Sequence, residues 1–224
     1  MPAFEGRFVS IVLLGRQNPR ILNHDFLTRN EILPAEMPPF PDLLKRKAEE
    51  QFTSFVSLPV LSTITYGPVS ITVEENRFQI RDDRYGDPSS SPIVPIVRNY
   101  FGKCLRYTPF DLGGINVNGV VQFADADDEK AFDESLGICT ETIAGLAESV
   151  EARSSLFFGA PWHNGTMEFR IVKHKASTGR AEANFNYEFG YEDIDSFLAN
   201  LDDIQLVRAR FESILKQLGV EVDK

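Results

Sequence analysis

The chain reads as an α+β protein, with antiparallel sheets built from two meander-plus-helix units and helices on one face. Three observations carry that reading. Residues 69–73 and 77–81 alternate apolar with polar side chains, the period of strands with one dry and one wet face. Residues 180–189 alternate in the same way, with Asn at two of the wet positions. From Ile194 to Leu218 the apolar residues instead recur at helical spacing, as in an amphipathic helix.

An echo between the halves suggests an internal repeat about a pseudo-twofold axis. The stretches 114–123 and 183–189 both alternate apolar residues with Asn. Each leads into an acidic helix start, at Asp125 to Glu129 and at Glu192 to Asp195, followed by an inward Phe (Phe132, Phe197). The echo divides the chain into units 1–124 and 125–224, a division that one compact domain would also satisfy.

Taken in order, residues 8–14 form an apolar run of strand length. Gly15 to Pro19 ends it, since Pro19 holds Asn18 in an extended conformation. Residues 23–41 read as irregular, because four prolines at 34, 38, 39 and 41 oppose a helix there. Leu43, Leu44, Ala48, Phe52 and Phe55 then lie at helical spacing, which predicts a helix from 41 to about 55. A meander follows over 60–66, 69–73 and 77–81. Residues 92–107 predict a helix with Ser91 as N-cap and Pro92 in its first turn.

In the second unit, a strand over 112–123 precedes a helix over 127–136 that Gly137 stops. A short helix is expected over 142–150. Strands over 155–158, 167–174 and 180–189 complete another meander, the last two joined as a hairpin by residues 175–179. In that hairpin Met167, Phe169 and Ile171 should face Ala183, Phe185 and Tyr187, with Glu168, Arg170, Glu182, Asn184 and Asn186 pointing away. The terminal helical stretch has acids early and bases late, which suits the helix dipole. Residues 200–203 offer a break into two helices.

Composition narrows the function. With 224 residues and 42% hydrophobic content, including 18 Phe, the chain buries a real core. No apolar run approaches the roughly 20 residues of a membrane span, and no secretory signal pattern opens the chain. Cys104 and Cys139 are too few for a disulfide framework and too far apart for a metal knuckle, so two reduced thiols in a cytoplasmic protein are expected. Lys plus Arg equals Asp plus Glu, at 13 each, in residues 1–112, so the whole net charge of −10 lies in residues 113–224. Nucleic acid would be repelled there, although a local patch of Arg77, Arg81 and Arg84 remains open on one face.

Candidate sites are few. Asp125 to Glu129 lacks the central Gly and terminal Glu of a calcium loop, and acids at a helix start need no metal. Gly113-Gly114 precedes a strand, so it reads as a close backbone approach rather than a phosphate loop. His24, His163 and His174 are scattered and form no metal-ligand pattern, so no metal or cofactor is expected. His163, in the turn Trp162-His163-Asn164-Gly165, is the one weak catalytic candidate, as a base oriented by Glu168 or Asp25. The turn itself is reason enough for those residues. Asn116, Asn118, Gln122, Asn184 and Asn186 are the better candidates, as an interface or ligand-binding set. Amides both donate and accept hydrogen bonds, and they stand where wet strand faces normally carry Thr, Lys or Glu.

The expectation is a non-catalytic interaction module, a homodimer or the holder of a protein partner, using a sheet face or an acidic helical surface. The alternative is a ligand-binding protein or hydrolase with a pocket between the two units. Membranes and nucleic acid are not expected partners.

Overall fold

Alternating strands dominate the chain, and they assemble into one sheet. The computed structural model describes residues 1–33, 52–85, 91–135, 153–174, 179–190 and 193–222. The strands are β1 (Ala3–Leu14), β2 (Phe52–Leu58), β3 (Leu61–Tyr66), β4 (Val69–Glu74), β5 (Arg77–Asp82), β6 (Leu112–Gln122), β7 (Arg153–Trp162), β8 (Gly165–His174), β9 (Arg180–Phe189) and β10 (Glu221–Val222). Their order is β2-β3-β4-β5-β1-β6-β9-β8-β7, with the short β10 parallel beside β1. Every other pairing is antiparallel. The helices are α1 (His24–Arg29), α2 (Ile93–Asn99), α3 (Ala126–Ser135), α4 (Ile194–Asn200) and α5 (Ile204–Gln217).

Both halves of the chain contribute to this sheet. The boundary expected at 124/125 falls just after β6, which pairs with β1 on one side and β9 on the other. Outward from the β1–β6 pair, each flank is a meander wound back so that its last strand, β5 or β9, lies innermost. The two strands that echo each other in sequence, β6 and β9, are direct neighbours. Their shared alternation of apolar residues with Asn is therefore the alternation of one common pair of faces.

One face of the sheet carries the core. Val9, Ile11 and Leu13 of β1, Phe78 and Ile80 of β5, Ile115 and Val117 of β6, and Phe185 and Tyr187 of β9 are buried in a single cluster. The helices meet them with Leu27 of α1, Ile96 and Val97 of α2, Phe132 of α3, Phe197 of α4, and Val207 and Phe211 of α5. The β8–β9 register brings Met167, Phe169 and Ile171 opposite Tyr187, Phe185 and Ala183, the pairing that alternation predicts. Val120 and Val172 are also buried, yet they stand outside that cluster, because their strand parity points them to the opposite face. No described helix is long and apolar enough to cross a membrane.

Several elements differ from the sequence reading. Residues 52–55 belong to strand β2, not to a helix; pairing with β3 supplies their hydrogen bonds, and a register shift between Phe52 and Ser54 breaks the strict alternation that would have marked a strand. The rest of the helix expected over 41–55, the one over 142–150, and the hairpin loop 175–178 lie outside the described residues. Within 23–41, residues His24–Arg29 form α1, because the prolines all lie beyond it and the Asn23 side chain accepts from the Phe26 N–H at 2.8 Å. The helix expected over 92–107 stops at Asn99 and widens into a π turn over Tyr100–Cys104. Pro92 takes its N-cap position, and the Ser91 hydroxyl donates to Asp82 at 2.7 Å. The terminal helical stretch does break where expected, through a 3-10 turn at Leu201–Asp203. Asp193 caps α4 in a reciprocal pairing with Ser196.

Candidate functional site

The face of the sheet turned away from the core cluster is where the sequence-level candidates converge. On β6, Ile115, Val117 and Val121 point into the core, so Asn116, Asn118 and Gln122 must point away from it. On β9 the same parity turns Asn184 and Asn186 outward, between buried Ala183, Phe185 and Tyr187. The register then fixes their meeting: Asn116 stands opposite Asn186, and Asn118 opposite Asn184. Two adjacent amide rungs result, all four residues half-buried. The Asn118 side-chain N–H donates to the Asn184 side-chain oxygen. Gln122 is further along, opposite Arg180, and donates to the Glu5 carboxylate instead.

The third strand of the site is β1, which sets Ser10 beside Asn116 and Phe8 beside Asn118. Arg81 of β5 is opposite Ser10 on the other side, and its guanidinium stands 4.0 Å from the centre of the Phe8 ring, a cation–π contact. Asp83 accepts from the Arg81 Nε and holds it in place. Ser10 is 1% exposed, and its hydroxyl has no hydrogen-bond partner among the described residues.

Beside the Asn116–Asn186 rung the face dips into a depression of about 370 Å³, lined in part by Val12, Leu14, Arg77, Gly114 and Glu188. Gly114 makes the dip possible. A β-carbon there would stand 2.9 Å from the Tyr187 carbonyl oxygen and 3.3 Å from the Asn186 side-chain oxygen. The Gly113-Gly114 pair is thus the close backbone approach that its sequence context suggests.

The structure brings together four of the five amide candidates and leaves Gln122 at their margin. It adds Phe8 and Glu188, which nothing local in the sequence marks, and it places Gly114 at the site. Arg77 and Arg81 do share the outer face of β5, as their alternation implies. Arg84 leaves that patch, since its guanidinium turns to Asp82 with contacts of 2.8 and 3.0 Å.

The other candidates have structural explanations. His163 occupies the two-residue turn between β7 and β8 with φ of +50°, and its ring centre lies 4.5 Å from that of Trp162. Among the described residues it shares no hydrogen bond with Glu168 or Asp25. Glu168 projects from β8 opposite Asn186, and Asp25 pairs with Arg29 on its own helix. The acids at the start of α3 act within the fold: the Asp125 side chain accepts from the Asp128 N–H at 2.9 Å, and Glu129 binds Lys173 at 2.6 Å. Among the described residues no three His, Cys, Asp or Glu side chains converge as metal ligands.

Comparison with known proteins finds no matching family model and no matching curated protein. The functional reading therefore rests on the chemistry of this face.

Proposed function

We propose that the chain is a non-catalytic interaction module that takes a protein partner, or a second copy of itself, on the amide-bearing face of its sheet. One observation carries the reading: the Asn116–Asn186 and Asn118–Asn184 rungs lie side by side on the face turned away from the core cluster. Amides suit that role because covering them desolvates no charge, while each offers both a donor and an acceptor. The Asn118–Asn184 hydrogen bond pre-orders part of the surface, which lowers the entropy lost on binding. Phe8 and Arg81 beside the rungs are residue types that anchor interfaces. The surplus of acid in residues 113–224 favours a basic partner and speeds its approach. The low cysteine content supports a cytoplasmic setting.

The depression beside Asn116 supports a second reading, a small polar ligand held at the same residues. Native mass spectrometry of protein purified from its source cells separates the two. The interaction reading expects a mass well above the 25.2 kDa of one chain, returning to one chain in Asn116→Lys and Asn186→Lys with an unchanged circular dichroism spectrum. A variant that keeps the assembled mass removes this face as the contact. A single chain that carries a reproducible small adduct, lost in the same variants, selects the ligand reading.

A further inference from the structure

A second site lies away from the amide face, where β1 runs out of the sheet. There the chain makes an ordered turn. Gly15, at φ +148°, donates its N–H to the Asn76 carbonyl at 3.0 Å, and the Gln17 N–H reaches the Glu75 carbonyl at 2.7 Å. Gly15 has no room for a side chain, since a β-carbon would stand 2.5 Å from the Pro109 carbonyl oxygen. The Asn18 side chain then caps a 3-10 turn over Pro19–Ile21 by accepting from the Arg20 N–H at 3.1 Å. This loop lines a cleft of about 1000 Å³ together with Cys104, Leu105 and Tyr107, where the π turn ends.

The lining carries uncommitted positive charge. Arg16 and Arg20 both line the cleft and are exposed, and neither has an ion-pair partner among the described residues. The neighbouring bases are already committed: Arg106 to Asp195 at 2.6 Å and Lys103 to Glu31 at 3.9 Å. Among the described residues Glu75 is the one carboxylate that lines the cleft, against Arg16 and Arg20, so their sum is positive. Burial raises the Cys104 thiol above its usual value, and Lys103 offsets this only in part. The thiol is therefore neutral near pH 7 and adds no repulsion to an anion.

Two further groups point to a ligand that is more than a bare anion. Gln17 is 8% exposed, and its side-chain nitrogen has no hydrogen-bond partner among the described residues; a buried amide of this kind calls for one. A half-turn of its terminal torsion exchanges donor and acceptor, so it can serve either edge of a polar ligand. Tyr107 is 95% exposed at the cleft, an uncommitted aromatic face.

We propose that this cleft binds a phosphate ester of about mononucleotide size, with Arg16 and Arg20 on the phosphate and Tyr107 against the planar part. Guanidinium groups match phosphate oxygens in pairs, and a volume of this order accommodates a small ligand. Glu75 stands as a local repulsion that weakens binding and orients the anion away from the β4–β5 turn.

Isothermal titration of the full chain at low salt, with inorganic phosphate, AMP and citrate as separate probes, tests this site. AMP should bind one to one and more tightly than inorganic phosphate, and binding should weaken with added salt. Arg16→Ala and Arg20→Ala should each reduce AMP affinity about tenfold, the weight of a charge-assisted contact. Tyr107→Ala should weaken AMP but not inorganic phosphate. Glu75→Gln should tighten both, which keeps the test independent of any loss of folding in the arginine variants. Failure of AMP to saturate at about millimolar concentration, equal affinity for citrate, or insensitivity to both Arg variants and Glu75→Gln would overturn the proposal.

Discussion

The ring of Tyr85 lies directly on the backbone of Gly6, so closely that a β-carbon on Gly6 would stand 1.8 Å from a ring carbon. The position marks the middle of β1, where its register against β6 shifts between Gly6 and Phe8 and Gly6 faces Gly119. Gly119 is equally filled, from the core side, with the Phe4 ring 2.2 Å from where its β-carbon would be. The two rings meet edge to face at 5.4 Å, and Phe4 also meets Phe211 of α5 at 5.2 Å. Arg208 stacks on the other contact of Tyr85, 4.4 Å from the ring centre, while Glu212 accepts from the Tyr85 hydroxyl at 3.2 Å. A glycine pair thus lets two aromatic rings lock the long C-terminal helix to the central strands.

Gly6→Ala should therefore displace the Tyr85 ring and destabilise the fold by about 2 kcal/mol, the usual scale of overpacking. For a chain of this size that is a fall in Tm of about 4–8 °C. Gly190→Ala is the control, since its β-carbon would meet nothing within 4 Å, and its Tm should match the parent. Equal melting of the two variants in a thermal scan would show that the Tyr85 contact carries no weight.

Asp82 is the most deeply buried charge on β5, at 1% exposure. It accepts from the Arg84 guanidinium at 2.8 and 3.0 Å, from the Arg84 N–H at 3.0 Å and from Ser91 at 2.7 Å. Removing Asp82 takes its acceptor oxygens from the Arg84 guanidinium and the Ser91 hydroxyl. Because Arg84 is about a third exposed, Asp82→Ala should cost about 2 kcal/mol rather than the full value of a buried pair. Urea denaturation reads this as a lower midpoint at unchanged slope; a midpoint equal to that of the parent would rule the network out as a source of stability.

Lys173 ties the sheet to α3, with Glu129 at 2.6 Å and Asp133 at 2.7 Å. Burial disfavours its charge, but hydrogen bonds to Asp133 and Glu129 outweigh that and raise its pKa above the ordinary lysine value. A group raised in the folded state contributes stability that is fully present below its unfolded value of about 10.4 and fades as pH rises through the folded value. Lys173→Met should thus be less stable than the parent at pH 7 by about 1–2 kcal/mol, with the gap narrowing above about pH 10.4. A gap that stays constant to high pH would mean that packing, not charge, makes the difference.

Much of this architecture is legible in the linear sequence, for a definite reason. A strand with one buried face must alternate, so β4, β5 and β9 and the outward direction of Asn116, Asn118, Asn184 and Asn186 follow from hydrophobic burial alone. The helical character of α4 and α5 is legible for the matching reason that an amphipathic stripe must face the core. The start of β2 was not legible: Phe52 and Phe55 stand at helical spacing, and an irregularity between Phe52 and Ser54 in the pairing with β3 hides the strand's alternation. Short α1 escaped notice because its stability comes from the Asn23 cap and buried Leu27 rather than from length. Pairing is the larger gap. That Asn116 meets Asn186, that Tyr85 covers Gly6, and that Arg16 and Arg20 share a cleft with Tyr107 are facts of strand order and loop approach. Each joins residues far apart in the chain, and local periodicity carries no information about which distant segment completes a hydrogen-bond ladder or a wall.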